Sequence, residues 1–363
     1  MFSYFSFPPH KAAQLQKLIY LSIYLTEFIY ASKKRNIVIV KLLVYNIHIE
    51  THEGGESMRI EGIYIGLTVK EILTDKLGFS KRAIADLKNR PDGITVNGEH
   101  VTVRKVLREG DILIINCDDE DLLNEKLIPS NVLPDIIYED DDIVLINKPP
   151  FMPTHQSQGH FTDTLANSLA YHYALLDRPF VFRSINRLDR NTSGIVLVAK
   201  NRLSAAKLSE QMKNGEIRKT YLALLDGVLE QEQGRIETHI RRREKSIILR
   251  EICEPCEDSQ IAITDYRTIA LCDGITLVET SPITGRTHQL RVHFSHLGAQ
   301  ILGDDLYGNK SNLIDRHALH AHKLTFKHPS SAQELTFFAP LPHDMKSIIE
   351  DKFGKDLLLH GRK

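Results

Sequence analysis

Asp189 stands between Arg187 and Arg190 in the run Ile185-Asn186-Arg187-Leu188-Asp189-Arg190-Asn191-Thr192-Ser193-Gly194, directly ahead of the apolar stretch Ile195-Val196-Leu197-Val198-Ala199. A carboxylate fixed at the mouth of a buried strand, with cations on both sides, suits an anionic substrate. The cations recruit phosphate, and the carboxylate does chemistry once the substrate is seated. By itself an Arg-Leu-Asp triplet reads as an ordinary turn closed by a local ion pair. The rest of the chain changes that reading.

Composition sets the outer bounds. The chain has 363 residues, enough for two or three domains, and its 42% hydrophobic and 26% charged content is ordinary for a globular protein. The net charge of -1 conceals an acidic stretch from Cys117 to Asp142, in which Lys126 is the lone base. Outside that stretch the chain is basic, a better partner for a polyanion. The four cysteines are too few for a disulfide scaffold, which points to a reducing, cytoplasmic setting. Cys253-Glu254-Pro255-Cys256 has the spacing of a metal hook, but a zinc site needs four ligands and no second hook is present. Leu18 to Tyr30 is too short and too polar to span a membrane, and it lacks the layout of a signal peptide. Recognisable architecture begins after Met58, so translation is expected to start there, with residues 1–57 an extension outside the working protein.

The elements that must position the chemistry fall into two groups. Residues 58–117 form a compact module. Thr68-Val69-Lys70-Glu71 is a capping box opening a helix with Val69, Ile72, Leu73 and Leu77 on one face. Ser80 caps a second helix with Ala83, Ile84 and Leu87 inward, which leaves Lys81, Arg82, Lys88 and Arg90 as a basic outer face. Ile94-Thr95-Val96, the turn Asn97-Gly98, Val101-Thr102-Val103 and a last strand through Ile115 close the module. An acidic linker, 118–133, is expected to be mobile and to hold two domains apart.

From 134 to 350 the pattern is that of a larger α+β domain, with 351–363 as a tail. Strands are expected at Asp142–Lys148, Ile195–Ala199, Thr220–Leu225 and Ile275–Thr280. Asn201 caps a helix with Ala205, Leu208 and Met212 inward, ended by Gly215. A helix after Thr284-Gly285 carries Leu290, Phe294 and Leu297 on one side and His288 and Arg291 on the other, with Gly298 at its end. There is no fixed repeat and no strict strand–helix alternation, which weakens a Rossmann or barrel reading.

Four segments in order resemble one family: Lys148-Pro149-Pro150; Arg187-Leu188-Asp189 with Thr192-Ser193-Gly194; Lys219-Thr220-Tyr221-Leu222-Ala223; and Thr284-Gly285-Arg286-Thr287-His288-Gln289-Leu290-Arg291-Val292-His293, followed by Gly303-Asp304-Asp305-Leu306-Tyr307-Gly308. Together they resemble the RluA-type pseudouridine synthases. The module ahead of them resembles the small RNA-binding domain named after ribosomal protein S-four, with Lys81, Arg82, Lys88 and Arg90 as its RNA-binding residues. The resemblance implies an α+β catalytic fold, a mixed and largely antiparallel sheet with flanking helices, preceded by that small α/β RNA-binding domain.

It also implies isomerisation of uridine to pseudouridine in RNA. The expected substrate is large-subunit ribosomal RNA, with transfer RNA as the alternative; no metal or cofactor, no membrane and a monomer are expected. Asp189 becomes the catalytic residue. Arg286 is expected to pair with it, and Tyr221 to pack on the uracil and move a proton. Arg187, Thr192, His288 and Arg291 are expected to contact substrate. Asn186 stands where many members have His, a change of support around Asp189. A non-catalytic RNA-binding factor and a glycoside hydrolase remain as competing classes. The second needs a paired carboxylate, for which Asp163 and Asp304 are candidates without a motif to join them to Asp189.

Overall fold

Period-two alternation of apolar residues on both faces of adjoining strands builds the centre of the molecule. In the computed structural model, which describes residues 49–52, 55–116 and 127–355, Ile143–Lys148 and Ser193–Ala199 are neighbouring antiparallel strands. Val144, Ile146, Val196 and Val198 face one core. Ile143, Leu145, Ile195 and Leu197 face another. A strand buried on both sides reads as an unbroken apolar run, because each face must be covered by another layer. Each such side chain contributes about 1.5–3 kcal/mol on burial.

The strands of the larger domain are β6 (Ile136–Glu139), β7 (Ile143–Lys148), β8 (Arg183–Ser184), β9 (Ser193–Ala199), β10 (Arg218–Asp226), β11 (Gln233–Arg242), β12 (Arg250–Cys253), β13 (Gln260–Cys272), β14 (Ile275–Pro282), β15 (Gln300–Ile301), β16 (Leu319–Lys327) and β17 (Glu334–Phe338). The sheet runs β12-β11-β13-β14-β10-β16-β9-β7-β6, with β15 beside β10, β17 beside β16 and β8 beside β9. Among the described residues β16 and β9 pair in parallel, and the other pairs are antiparallel. The mixed, largely antiparallel sheet expected from sequence is therefore present.

Helices cover both faces. The helix Arg202–Lys213 has its N-terminus satisfied by Asn201 Oδ1, which accepts from Ser204 N at 2.8 Å, and Leu208 inserts into the second core. The helices Leu165–Leu175, Gln289–His296 and His343–Phe353 send Leu165, Leu169, Leu290, Phe294, Met345 and Ile349 into the first. Leu297 departs from the sequence reading. It caps its helix and is exposed, because the chain turns away at Gly298.

The N-terminal module is a five-stranded sheet in the order β1 (Ile49–His52), β2 (Gly55–Arg59), β5 (Ile112–Ile115), β3 (Ile94–Val96), β4 (Glu99–His100). The capping box is formed, with Thr68 N and Thr68 Oγ1 both donating to Glu71 Oε2 at 2.7 and 2.6 Å. Asn97 and Gly98 take positive φ and close the β3–β4 hairpin, while the returning strand ends at His100, short of Val101–Val103. Strand β2 begins before Met58, which pairs with Leu113 in mid-strand.

The two modules are packed together, not held apart. Leu203 and Ala206 of the Arg202–Lys213 helix belong to the buried cluster of the N-terminal module. At Gly78, where φ is +69°, the chain passes so close to that helix that a Cβ would lie 3.3 Å from Ala206 O. The acidic run 117–126 lies outside the described residues.

Candidate active site

The loop carrying Asp189 joins β8 to β9, and its shape is imposed from outside. Inside it, Thr192 N donates to Asp189 O at 3.1 Å, forming a turn that lifts the carboxylate out of the strand line. Thr154 Oγ1 donates to Leu188 O at 2.9 Å and accepts from Leu188 N at 3.2 Å. Lys148 Nζ donates to Arg190 O at 3.2 Å and also to Pro149 O and Met152 O at 2.8 and 2.7 Å. Arg316 Nη1 donates to Asn191 O at 3.0 Å, while its Nε and Nη2 bind both oxygens of Asp344. A loop whose carbonyls are claimed by buried side chains is pre-organised, which active-site chemistry rewards.

One of these supports is costly to bury, and one backbone position beside them tolerates only glycine. Lys148 is fully enclosed, and burial, with the Arg316 charge nearby, brings its pKa down to about 7 despite the opposing pull of Asp189. Gly194 has φ +111°, and a Cβ there would lie 2.2 Å from Ala321 O. The contact arises where β9 meets β16 in parallel, with Ala321 opposite Gly194. Only glycine fits that close approach.

Asn186, where the resemblance leads one to look for His, is buried and serves the backbone. It donates to Ile195 O at 2.9 Å and accepts from Leu197 N at 2.8 Å. A neutral amide suffices for that work, and its bonds are to β9 and not to Asp189.

Around Asp189 the charges are arranged on one side. Its side chain is 31% exposed. Oδ2 lies 3.5 Å from Arg291 Nη1 and 3.7 Å from His288 Nε2. Arg291 is itself fixed by a fully buried carboxylate: Nε and Nη2 donate to the two oxygens of Asp304, each at 2.7 Å. Planar, bidentate pairing of this kind fixes orientation as well as charge. Tyr221, on β10, is buried close enough to Asp189 to feel its charge. Burial first, and Asp189 second, push its phenol well above the usual tyrosine range. The hydroxyl therefore stays protonated.

This geometry bears on three expectations. Arg286 is not the cation at Asp189; its Nε donates to Ile261 O at 3.0 Å, and the partner is Arg291, five positions on. Thr192 is buried with its Oγ1 2.8 Å from His317 Nε2, a contact that supports the loop. Arg291 is buried and held between two carboxylates, Asp304 and Asp189. Arg187 is exposed, and its charge helps lower the pKa of His155 after burial has done most of the work. In the N-terminal module Lys81, Arg82 and Lys88 are exposed along one helix, and Arg90 is partly buried.

Sequence similarity now decides the family. Residues 142–296, which contain Asp189, Tyr221 and Arg291, match the family model described as RNA pseudouridylate synthase. An uncharacterized RNA pseudouridine synthase of Bacillus subtilis, YjbO, is 40% identical over 284 residues, spanning 78% of this chain and 99% of its own length. The chain belongs to the RNA pseudouridine synthase family. The ribosomal large subunit pseudouridine synthase D of Vibrio cholerae is 32% identical over 268 residues, covering 69% of this chain and 81% of the relative. The solved structure of human RNA pseudouridylate synthase domain containing 1 is similar with 30% identity, a TM-score of 0.48, and coverage of 57% of this chain and 83% of that one. The enzyme is thus an isomerase that converts uridine in RNA to pseudouridine.

Several residues of the synthase site escaped the sequence reading. Lys148 lies in a segment that carries the family resemblance but had no role attached, and Asp304, weighed only as a second carboxylate for glycoside hydrolysis, instead anchors Arg291. Thr154, Arg316 and His317 stand in no motif. They are found only by seeing which side chains close on the Asp189 loop.

Proposed function

We infer that Asp189 is the residue on which catalysis turns, and that the RNA is held by both modules at once. The observation that carries this reading is the asymmetry at Asp189. Arg291 and His288 both approach Oδ2, while the side chain keeps an exposed edge beside the buried phenol of Tyr221. A carboxylate steadied on one oxygen and open on the other suits reaction with a sugar carbon.

In the proposed reaction the target nucleotide leaves the helix, at a cost of a few kcal/mol, and its ribose comes to Asp189. Two routes fit. In one, the carboxylate adds to the anomeric carbon as the bond to N1 of uracil breaks; the base turns, C5 bonds to the sugar, and the aspartate leaves. In the other, Asp189 takes the C2′ proton as the bond to N1 of uracil breaks, leaving a glycal; C5 of the turned base then bonds to the anomeric carbon as the proton returns to C2′. Either ends with loss of the C5 proton. The reaction rearranges atoms without net redox change and asks for no metal or cofactor. Tyr221 packs on the uracil ring and its protonated hydroxyl is placed to hand on a proton. Arg187 contacts the phosphates of the everted nucleotide or fills the space it leaves.

The substrate in this reading is large-subunit ribosomal RNA, the substrate named for the Vibrio relative, acted on by a cytoplasmic monomer. The N-terminal module resembles the S-four type. Its exposed Lys81, Arg82 and Lys88, with Arg90 at the end of the same segment, supply phosphate contacts. Because that module packs on the Arg202–Lys213 helix, it sets a fixed distance between bound RNA and Asp189.

The test is mapping of pseudouridines in cellular RNA with and without the gene, paired with tritium release from C5-labelled transcripts. A uridine lost from the modified set in large-subunit RNA is the expected result. A lost site in transfer RNA moves the substrate assignment to that class. Tritium release by Asp189→Asn protein sinks the catalytic assignment.

A further inference from the structure

We propose that His288 and Tyr307 form a hydrogen-bonded dyad that presents a fixed imidazole N–H to Oδ2 of Asp189, so that His288 is a positioning residue for the carboxylate and not a substrate contact. The proposal rests on Asp189 being the catalytic residue. His288 stands immediately ahead of the Gln289–His296 helix with φ 59° and ψ 16°, a left-handed conformation that residues with a side chain seldom adopt. Such a conformation persists only where the surroundings hold it, and it clusters at functional sites. Here it turns the ring so that its two nitrogens face different partners: Nδ1 lies 2.8 Å from the Tyr307 hydroxyl and Nε2 lies 3.7 Å from Asp189 Oδ2.

Tyr307 is held firmly enough to act as the reference point. Its backbone N donates to Asp304 Oδ1 at 3.1 Å, and its carbonyl accepts from Ser295 Oγ at 2.7 Å. The Arg291 guanidinium sits 5.0 Å from its ring centre. Its hydroxyl accepts the backbone N–H of Arg250 at 2.8 Å.

That last bond favours one tautomer. A phenol has one hydrogen and two lone pairs. With Arg250 N–H on a lone pair, the hydroxyl hydrogen finds its acceptor in His288 Nδ1. The ring proton then sits on Nε2, facing Asp189. Burial lowers the His288 pKa, with the neighbouring Arg291 and Arg250 adding to the shift and Asp189 opposing it, so a neutral donor is favoured. At 3.7 Å the approach is longer than a formed hydrogen bond, as catalytic contacts often are without substrate. Arg291 and His288 converge on the same oxygen, which assigns Oδ1 to the nucleotide.

The experiment uses the full chain with His288→Ala, His288→Gln and Tyr307→Phe, a C5-tritiated transcript, and nitrogen NMR of the His288 ring. The expected wild-type signature is the neutral Nε2–H tautomer, lost or mixed in Tyr307→Phe. His288→Ala and Tyr307→Phe each lower kcat by about tenfold, the scale of a residue supporting a reactive group, with KM within about twofold. His288→Gln, which keeps an N–H at nearly the same place, recovers most of the loss. A wild-type Nδ1–H tautomer overturns the dyad. So does a His288→Ala defect confined to KM, which marks a substrate contact. Activity surviving in Asp189→Asn refutes the catalytic assignment instead, and the tautomer measurement does not depend on that outcome.

Discussion

Arg291 and Asp304 form a closed bidentate pair, two bonds of 2.7 Å with the carboxylate fully buried, and the guanidinium edge left over is the one that reaches Asp189 at 3.5 Å. Asp189 thus takes its cation from a group already neutralised on its other side. That arrangement fixes geometry without stacking unbalanced charge around the substrate.

Arg291→Lys is expected to lower tritium release by about a hundredfold, because an ammonium cannot make the planar fork to Asp304 and reach Asp189 as well. Arg286→Ala should cost less than about tenfold, since that side chain serves a backbone carbonyl. Measured kcat/KM for the two variants ranks them; the reverse order contradicts the geometry. Arg291→Gln should also destabilise the fold by about 3–5 kcal/mol in denaturant unfolding, through the unpaired Asp304.

Gly194→Ala is expected to fold poorly or not at all. The new methyl meets the carbonyl of Ala321 and the residue must hold φ +111°, so a loss above about 3 kcal/mol is expected. Urea unfolding of any soluble fraction checks this. Gly98→Ala, in an open turn of the other module, should cost about 1 kcal/mol or less from its positive φ alone.

Stability should fall steeply as pH drops below 6. Burial holds His293 neutral down to about 4, and His317 and His320 down to about 3. Between those values and 6.5 the unfolded chain binds protons that the native state refuses. Stability therefore rises with pH across this window and is lost on acidification, by about 1.4 kcal/mol per pH unit for each fully coupled histidine. Carboxylates held below their usual range by partners, Asp304 and Asp344 among them, add in the same direction at lower pH. His317→Asn should flatten the acid limb of a denaturation series between pH 4 and 6. An unchanged slope refutes the assignment.

Leu203→Asp should uncouple the modules. Leu203 is 4% exposed within the N-terminal cluster though it belongs to the larger domain. A charge there is expected to split a single calorimetric transition into two and to weaken transcript binding, while tritium release at saturating RNA falls less than threefold.

The ordered motifs around Asp189 and Tyr221, the apolar runs of β7 and β9, the capping box at Thr68 and the Asn97-Gly98 turn were all legible in the sequence. Each depends on interactions between near neighbours along the chain, where spacing alone carries the signal. The partner of Asp189 was not legible in this way. Arg286 and Arg291 lie on one short segment with equal chemical fitness, and the left-handed turn at His288 and the burial of Asp304 decide which one arrives. Nor did linear order show that Thr154, Lys148 and Arg316 close on the same loop, or that Leu203 completes a second core. Those choices depend on which distant side chains meet once both faces of the sheet are covered. Local pattern marked two groups of elements and an aspartate set between two arginines; long-range packing determined which groups hold that aspartate and on which oxygen.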